Sequence, residues 1–289
     1  MLALVIAIAL PACGQTPAPL SGPVGSEVHR IVSLSPHLTE LTYAAGAGAQ
    51  LVGAVAYSDY PAEAKNVPRI GDAFRVDYEA IGLLHPDIVL AWRSGTPREI
   101  VERLRSLGYR VIELDATRLD DIGDQLLTIG NLAGTQSVAQ AAASNLAAQI
   151  EALRLRYRDK SPVSVFFQIS SEPLFSVTGA HVISDIIALC GGQNIFADLA
   201  GIAPPVSVEA VAAADPEIIM AAGSPDDSEW QQRWQKLTQM TAVRHGNLYT
   251  IDRDLISRSG PRILDGAAEI CEAMEAARTH ADQSSASGG

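Results

Sequence analysis

The stretch that decides the fold occurs twice in this chain. Residues 76–91 read VDYEAIGLLHPDIVLA and residues 206–221 read VSVEAVAAADPEIIMA, and the two align without gaps at a constant offset of 130 residues (206 − 76). Each copy has the pattern of a short helix, a proline and a buried strand. The repeat therefore predicts one supersecondary unit used twice, with a chance match between alanine-rich segments as the alternative.

Capping and stop signals lie at equivalent places in the two copies. Asp77 and Ser207 precede the helices and are favoured N-cap residues. Pro86 and Pro216 follow them and would end each helix before the strand. Both copies are thus expected to form the same helix-turn-strand unit.

Outside the repeat, β-rich runs alternate with helical patterns, which predicts an α/β fold with mainly parallel sheets. The interval from 120 to 160 is helical in pattern and lacks proline. Within it, the segment Ser137 to Arg158 alone would form a rod of roughly 30 Å. The simplest architecture is two similar α/β lobes joined by one long rigid helix, with a cleft between the lobes where a small ligand would bind.

The predicted organisation assigns every part of the chain. Residues 1–13 form a signal peptide with a lipobox and residues 14–26 a flexible tether. The expected folded parts are an amino-terminal lobe over 27–133, a backbone helix over 134–160 and a carboxy-terminal lobe over 161–281. The small polar residues 282–289 are expected to be a disordered tail.

The amino terminus predicts export. Nine consecutive apolar residues, 2–10, have the length of a signal-peptide core and are too few to span a bilayer. Leu10-Pro11-Ala12-Cys13 follows and resembles the lipobox of bacterial lipoproteins, so Cys13 would carry a lipid. The expected location is periplasmic, with the membrane contacted through this lipid anchor only; a plain secretory peptide with a spare cysteine is the alternative.

The chain has three cysteines. In an oxidising compartment Cys190 and Cys271 remain as the only pair once Cys13 is acylated, which predicts a disulfide between them. Two buried free thiols are the alternative. Three cysteines also exclude a dense disulfide framework and a four-cysteine metal site.

Composition excludes further classes. The formal net charge of −12, from 21 basic and 33 acidic residues, opposes binding to nucleic acid. No His-Glu-x-x-His, Gly-x-Ser-x-Gly or phosphate-binding glycine loop occurs in the sequence, so the protein is predicted not to be an enzyme, with an exported enzyme as a remote alternative. The six histidines are widely spaced, and neither a metal site nor a bound cofactor is predicted.

Several local motifs lie at the ends of predicted strands or close to them. They are Ser33-Leu34-Ser35-Pro36 with Thr39-Glu40-Leu41, Tyr57-Ser58-Asp59-Tyr60-Pro61, His85-Pro86-Asp87-Ile88-Val89 with Ala91-Trp92-Arg93, Cys190-Gly191-Gly192 with Asn194-Ile195-Phe196, and Arg258-Ser259 with Pro261-Arg262-Ile263. Together they resemble the substrate-binding proteins of ABC importers that have two lobes and one backbone helix (class III), in particular the cobalamin-binding subgroup. The resemblance covers residues 30–277.

This resemblance implies capture of cobalamin (vitamin B12) or a related corrinoid as a transported ligand, which is handed unchanged to a membrane permease dimer and its ATPase. Exposed aromatic rings at strand ends suit flat contact with a corrin, although the rings could instead cap the core of each lobe. The residues implied to line the cleft are Pro36, Tyr57, Phe74, Trp92, Phe175, Asp254 and Arg258.

One position departs from the subgroup. The chain has Ala203 before Pro204 and Pro205 where the cobalamin binders have an aromatic residue, so one wall of the cleft would be less aromatic. Another corrinoid, haem or a ferric siderophore is therefore an alternative ligand. For haem, His37 would be the axial ligand, but a solvated histidine at a helix start is the expected reading.

Glu79 and Glu209 occupy the same position in the two copies of the repeat. A protein with two similar lobes would present both carboxylates in matching surroundings, and the resemblance implies that they dock onto arginines of the permease. The alternative is that each glutamate only stabilises its helix through the helix dipole.

Overall fold

The computed structural model of this protein describes residues 28–224 and 226–287, and it contains two separate sheets. The predicted signal peptide, the lipid-bearing Cys13 and the tether over 14–26 lie outside the described residues. Mainly parallel strands packed against helices confirm the predicted α/β class.

The amino-terminal sheet has four parallel strands in the order β2-β1-β3-β4. The strands are β1 (Ile31–Ser33), β2 (Leu51–Ala54), β3 (Ile88–Trp92) and β4 (Val111–Leu114). Strand β3 is central and apolar, and its first four residues are buried, as expected for a parallel strand covered on both faces.

The carboxy-terminal sheet has five strands and is mixed. Its strands are β5 (Val163–Ser171), β6 (Leu174–Ser176), β7 (Gly192–Asn194), β8 (Ile218–Gly223) and β9 (Leu248–Asp252). Strand β5 pairs in parallel with β7 and β8, and β8 with β9, whereas β6 runs antiparallel to β5.

Helices account for most of the remaining described chain. They are α1 (Pro36–Ala44), α2 (Tyr78–Leu83), α3 (Arg98–Ser106), α4 (Leu119–Ala133), α5 (Gln136–Tyr157), α6 (Val182–Leu189), α7 (Val208–Ala214), α8 (Glu229–Gln235), α9 (Thr241–Arg244), α10 (Arg253–Ile256) and α11 (Ile263–Ser287), with short 3-10 turns at Gly48–Gln50 and Ala62–Asn66.

The structure contains the predicted repeat as α2-β3 and α7-β8. The Asp77 carboxylate accepts bonds from the amides of Glu79 and Ala80 at the start of α2. The Ser207 hydroxyl accepts one from Ala210 in α7. The two units share the same buried helical position, which is Ile81 in one and Val211 in the other.

The backbone conformation before each proline gives stronger support to the repeat than the capping and buried side chains do. His85 and Asp215 precede the two prolines at equivalent positions, and both adopt left-handed φ angles, 44° and 40°. This conformation is uncommon for residues other than glycine. A shared strained turn is not expected from a chance match of alanine-rich sequence, so the two units have the same local geometry.

The predicted connecting helix is present as α5, whose ends lie within one residue of the predicted segment. It packs against α4 through small residues. A Cβ atom added at Gly130 of α4 would lie 2.2 Å from the Cβ of Ala139 in α5, so this crossing requires glycine. Gly134 between the helices has φ 72°, the left-handed conformation of a helix C-terminus.

Two further predictions have clear outcomes. The Cys190–Cys271 disulfide is confirmed; it joins the end of α6 to α11, and both cysteines are fully buried.

The prediction of a disordered tail is wrong for residues 282–287, because α11 continues to Ser287. No proline or glycine interrupts this segment before Gly288, so nothing in the sequence stops the helix.

Removing the disulfide is expected to destabilise the carboxy-terminal lobe. The bond spans 81 residues of sequence. The double variant Cys190→Ser/Cys271→Ser should lower the free energy of unfolding by about 2 to 4 kcal/mol, because the unfolded chain regains entropy. Urea unfolding followed by circular dichroism measures this change. An unchanged unfolding midpoint would contradict the prediction.

Candidate ligand-binding cleft

The candidate site lies where loops from both sheets meet. Parallel strands present the loops after their carboxyl ends on one edge of a sheet, which is the usual position of ligand sites in α/β proteins. Here residues at the carboxyl ends of β3, β5 and β8, together with residues that follow β1, β3, β8 and β9, supply most of the lining of two cavities that contain residues from both halves of the chain.

The larger cavity has a volume of about 820 Å³. Phe74 lines it from the amino-terminal lobe, and its side chain is otherwise exposed. The carboxy-terminal lobe supplies the other lining residues, which are Gln168, Ile169, Ser170, Ser171, Ala221, Ala222, Asp227, Trp230 and Arg253. An aromatic ring thus lies opposite a largely polar surface.

Side-chain hydrogen bonds fix the polar surface of this cavity. The indole Nε1 of Trp234 donates to Oε1 of Gln168 at 2.9 Å, and Nε2 of Gln168 donates to the hydroxyl of Ser171 at 2.9 Å. Trp230 donates from Nε1 to the hydroxyl of Thr250 at 3.1 Å. These two hydrogen bonds in series, from Trp234 through Gln168 to Ser171, hold the three side chains in one orientation. The cavity therefore presents fixed polar groups to a ligand.

The smaller cavity has a volume of about 110 Å³ and is also lined from both lobes. Its lining residues are Leu34, Ser35, Pro36, His37, Ala73, Trp92, Gly95, Thr96, Ser257 and Arg258. The first eight come from the amino-terminal lobe and the last two from the carboxy-terminal lobe.

Trp92, the last residue of β3, is held by three contacts. Its Nε1 donates to Oδ1 of Asp115 at 3.0 Å, and its ring meets the His37 ring edge to face at a centroid distance of 5.2 Å. Gly95 lies against the ring so closely that an added Cβ atom would be 1.9 Å from a ring carbon. The indole is therefore a pre-oriented wall of the cleft.

His37 is the second residue of α1 and is buried, with 4% of its surface exposed. The expectation of a solvated histidine is wrong, because the first turn of α1 packs between the lobes. The Ser35 hydroxyl is 2.6 Å from His37 Nδ1. Burial, with a smaller contribution from the charge of Arg258, lowers the pKa of His37 from 6.5 to about 3, so the imidazole is neutral.

The structure brings together four of the seven predicted cleft residues. Phe74 lines the larger cavity, and Pro36, Trp92 and Arg258 line the smaller one. The remaining three line neither of these cavities and are Tyr57, Phe175 and Asp254. Contact of each residue with a ligand stays a prediction.

The positions of the three outlying residues differ. Tyr57 is 78% exposed and has a left-handed φ of 64°, a conformation that costs about 1 to 3 kcal/mol and is concentrated at functional sites. Phe175 lies on β6, half-buried, and bridges to Pro205 in the segment after Ala203. Asp254 is exposed and accepts a bond from Arg258.

Sequence reasoning missed the polar side of the cleft. Gln168, Ser170 and Ser171 lie at the carboxyl end of β5, and Asp227 and Arg253 follow β8 and β9. The sequence feature that could have indicated them is their position at or after the end of a strand, which is also where Trp92 lies. Single serines and glutamines stand out much less than aromatic residues in a chain with 5% aromatic content.

Within residues 28–224 and 226–287, no group of three or more His, Cys, Asp or Glu side chains could hold a metal ion. Among the same residues, no helix combines the length and the apolar character that crossing a bilayer requires.

Together the fold and the cleft define a two-lobed α/β ligand-binding protein. The chain belongs to the periplasmic binding protein family, whose model matches residues 31–255. It is 33% identical over 265 residues to the vitamin B12-binding protein of Vibrio cholerae, covering 91% of this chain and 94% of the relative. The vitamin B12-binding protein of Pectobacterium carotovorum is 37% identical over 250 residues, with 86% and 88% covered.

Solved structures show the same fold. The periplasmic vitamin B12-binding protein of Vibrio cholerae superposes with a TM-score of 0.80 at 32% identity, covering 87% of this chain and 98% of that one. A periplasmic heme-binding protein of Roseiflexus has a TM-score of 0.73 at 27% identity, with 88% and 100% covered. All of these relatives are named as binding proteins.

The buried His37 predicts acid sensitivity. Between pH 6.5 and about 3 the unfolded chain binds a proton at this residue and the native protein does not, so the free energy of unfolding should fall as the pH is lowered through this range. His37→Gln should reduce that pH dependence. It should not abolish it, since burial also lowers the pKa of His181 to about 4.

Chemical denaturation at a series of pH values measures the effect. The matched control is His29→Gln, which changes an exposed histidine and should leave the pH dependence as it is. A His37→Gln variant with the wild-type dependence would contradict the assignment of the acid sensitivity to this residue.

Proposed function

We propose that this protein is the substrate-binding component of an ABC importer, and that it captures cobalamin or a related corrinoid between its lobes and delivers it unchanged to the permease. The observation that carries the proposal is the two-sided cleft. Oriented aromatic and apolar groups, Pro36, Phe74 and Trp92, come from one lobe, and fixed polar groups come from the other.

The chemistry of a corrinoid matches this division. Its flat macrocycle offers apolar area that aromatic rings bind with little loss of conformational entropy. Its amide side chains need hydrogen-bond partners, which Gln168, Ser171 and Arg253 supply at the opposite wall. The curated relatives that bind vitamin B12 match nearly the full length of the chain, and this supports the same ligand class.

Haem is the second candidate, since solved haem-binding proteins share the fold. The residue types that ligate haem iron are His, Cys, Met and Tyr, and the residues lining the larger cavity include none of them. His37 lines the smaller cavity, but that cavity has a volume of only about 110 Å³ and the residue is 4% exposed. Tyr57 is also of a ligating type and is exposed, but it lines neither cavity, so the corrinoid is favoured by the match to curated relatives that bind vitamin B12.

The cellular arrangement follows from the family and from the sequence. The protein acts in the periplasm after export, and the lipid on Cys13 holds it at a membrane while the tether over 14–26 lets the lobes reach the permease. Family membership supports export, and the lipobox motif supports the anchor.

Glu79 and Glu209 are proposed to dock the protein onto the permease dimer. Both are exposed in the first turns of α2 and α7, the two equivalent helices. Within the described residues neither carboxylate forms an ion pair. Two free carboxylates in matching surroundings suit recognition by two equivalent basic sites, where charge complementarity fixes orientation.

Binding is tested directly by calorimetry with cyanocobalamin, haemin and a ferric siderophore. Cyanocobalamin is expected to bind with a 1:1 stoichiometry. Trp92→Ala should weaken binding roughly 10- to 100-fold, because an oriented aromatic wall is lost. The control Leu155→Ala removes an exposed apolar side chain on α5, outside both cavities, and should leave affinity unchanged. Tight binding of haemin with no cyanocobalamin binding would contradict the proposal.

Docking is tested by charge reversal. Glu79→Arg/Glu209→Arg should leave cyanocobalamin affinity and the melting temperature near wild type, since both side chains lie outside the two cavities. Uptake of labelled cyanocobalamin through the reconstituted importer should be lost. Reversal of Glu102, which forms a surface ion pair with Arg98, is the matched control. Normal uptake by the double variant would show that these carboxylates are only helix-end stabilisers.

A further inference from the structure

The segment from Tyr57 to Tyr60 follows β2 in the amino-terminal lobe and is held from both lobes. Within its own lobe, Arg69 donates from Nη2 to the carbonyl of Ser58 at 2.7 Å, and the Thr39 hydroxyl donates to the Ser58 hydroxyl at 3.1 Å. The next two residues have partners in the carboxy-terminal lobe. The segment therefore crosses the boundary between the lobes.

Two arginines make the contacts from the carboxy-terminal lobe. Arg258 donates from Nη1 to Oδ1 of Asp59 at 2.7 Å. The guanidinium carbon of Arg262 lies 3.8 Å from the centroid of the Tyr60 ring, within cation-π distance. Both side chains are mostly buried, so solvent screens these contacts only weakly.

Glu40 of α1 anchors both arginines. Arg262 binds it through two nitrogens, Nη2 to Oε1 at 2.6 Å and Nε to Oε2 at 3.0 Å, and Nη1 of Arg258 lies 3.1 Å from Oε1. The Glu40 side chain is 2% exposed. The arginines are thus fixed by a buried carboxylate of the amino-terminal lobe while they hold the segment of that same lobe.

We propose that Arg258 and Arg262 are positioning residues that hold Tyr57–Tyr60 across the lobe boundary, so that the exposed ring of Tyr57 is presented to the ligand in one orientation. The inference rests on the proposed function for the identity of the ligand and for its contact with Tyr57. It gives Arg258 a role besides lining the cleft, because its guanidinium is shared among Glu40, Asp59 and Asp254.

Holding residues 57–60 in place before the ligand arrives is expected to strengthen binding. Tyr57 is 78% exposed and lacks a packed environment of its own. A free loop would lose conformational entropy when its ring stacks on a ligand, and a loop already held in place loses less. The ion pair of Asp59 with Arg258 and the ring contact of Tyr60 with Arg262 hold the two residues that follow Ser58, and Tyr57 directly precedes Ser58.

Asp59→Asn is the cleanest perturbation. Asp59 is half exposed, and its neutralisation leaves Arg258 paired with Glu40 and Asp254, so no buried charge loses all its partners. Glu40 variants would instead leave two arginines without their anchor and could unfold the protein. Asp59→Glu keeps the charge and serves as the rescue variant.

The first measurement needs no ligand. Backbone 15N relaxation of the unliganded protein should give order parameters of about 0.85 for residues 57–60 in the wild type and lower values in Asp59→Asn, where the charge of the contact with Arg258 is lost. Asp254→Asn removes the other exposed carboxylate of Arg258, which lies outside the loop, and should leave these order parameters unchanged. Equal values in wild type and Asp59→Asn would overturn the proposal.

The second measurement is a double-mutant cycle with cyanocobalamin as the probe. Asp59→Asn should weaken binding roughly two- to tenfold in the wild-type background and have no effect when Tyr57→Ala is present, because it acts through that ring. Asp59→Glu should restore most of the affinity. Additive effects of the two changes would overturn the proposal.

The two measurements separate the inference from the proposed function. If the wild-type protein does not bind cyanocobalamin, the proposed function fails, and the order parameters of residues 57–60 still decide whether the arginines hold the loop. If cyanocobalamin binds and the order parameters do not respond to Asp59→Asn, only the inference fails.

Discussion

The arrangement of the two lobes depends on one buried carboxylate. Glu40 lies in α1 with its side chain 2% exposed, and its partners, Arg258 and Arg262, come more than 200 residues later in the chain. A buried charge that loses its partner destabilises a protein by several kcal/mol. The amino-terminal lobe therefore reaches a low-energy state only when the carboxy-terminal lobe brings the arginines to it, so the inter-lobe geometry is part of the folded state of each lobe.

A second ionic contact between the lobes lies at the start of α4. Asp185 of α6 accepts a bond from the backbone amide of Leu119 at 2.9 Å, and Arg118 lies 3.4 Å from the same carboxylate. With Glu40 and the covalent path through α4 and α5, the lobes are joined at several separate places. These connections hold the strand ends of the two lobes opposite each other, and the two cavities lie between them.

The sequence predicted local features well and long-range polar contacts poorly. The repeat, the long helix and the disulfide rest on spacing or on a count of cysteines, and each is present. The contact of Glu40 with Arg262 joins residues 222 positions apart, and nothing in either local sequence identifies the other. The burial of His37 is not predicted for the same reason, since it depends on the opposite lobe. For residues 282–287 the error is the reverse: the small polar composition predicts disorder, but the segment contains no helix breaker and is helical.

The two copies of the repeat explain how one unit yields two different walls. Positions that build the unit are equivalent in both copies: the N-caps, the buried Ile81 and Val211, and the left-handed residues before the prolines. At the strand end the copies diverge, because Trp92 corresponds to Ala222 at the same offset. The indole fills space and forms an aromatic wall, whereas the small Ala222 side chain lines the larger cavity, where the polar groups of β5 are accessible. Keeping the frame while changing the residue at the strand end thus contributes to the difference between the two walls, one with an indole and the other with a small side chain beside polar groups of β5.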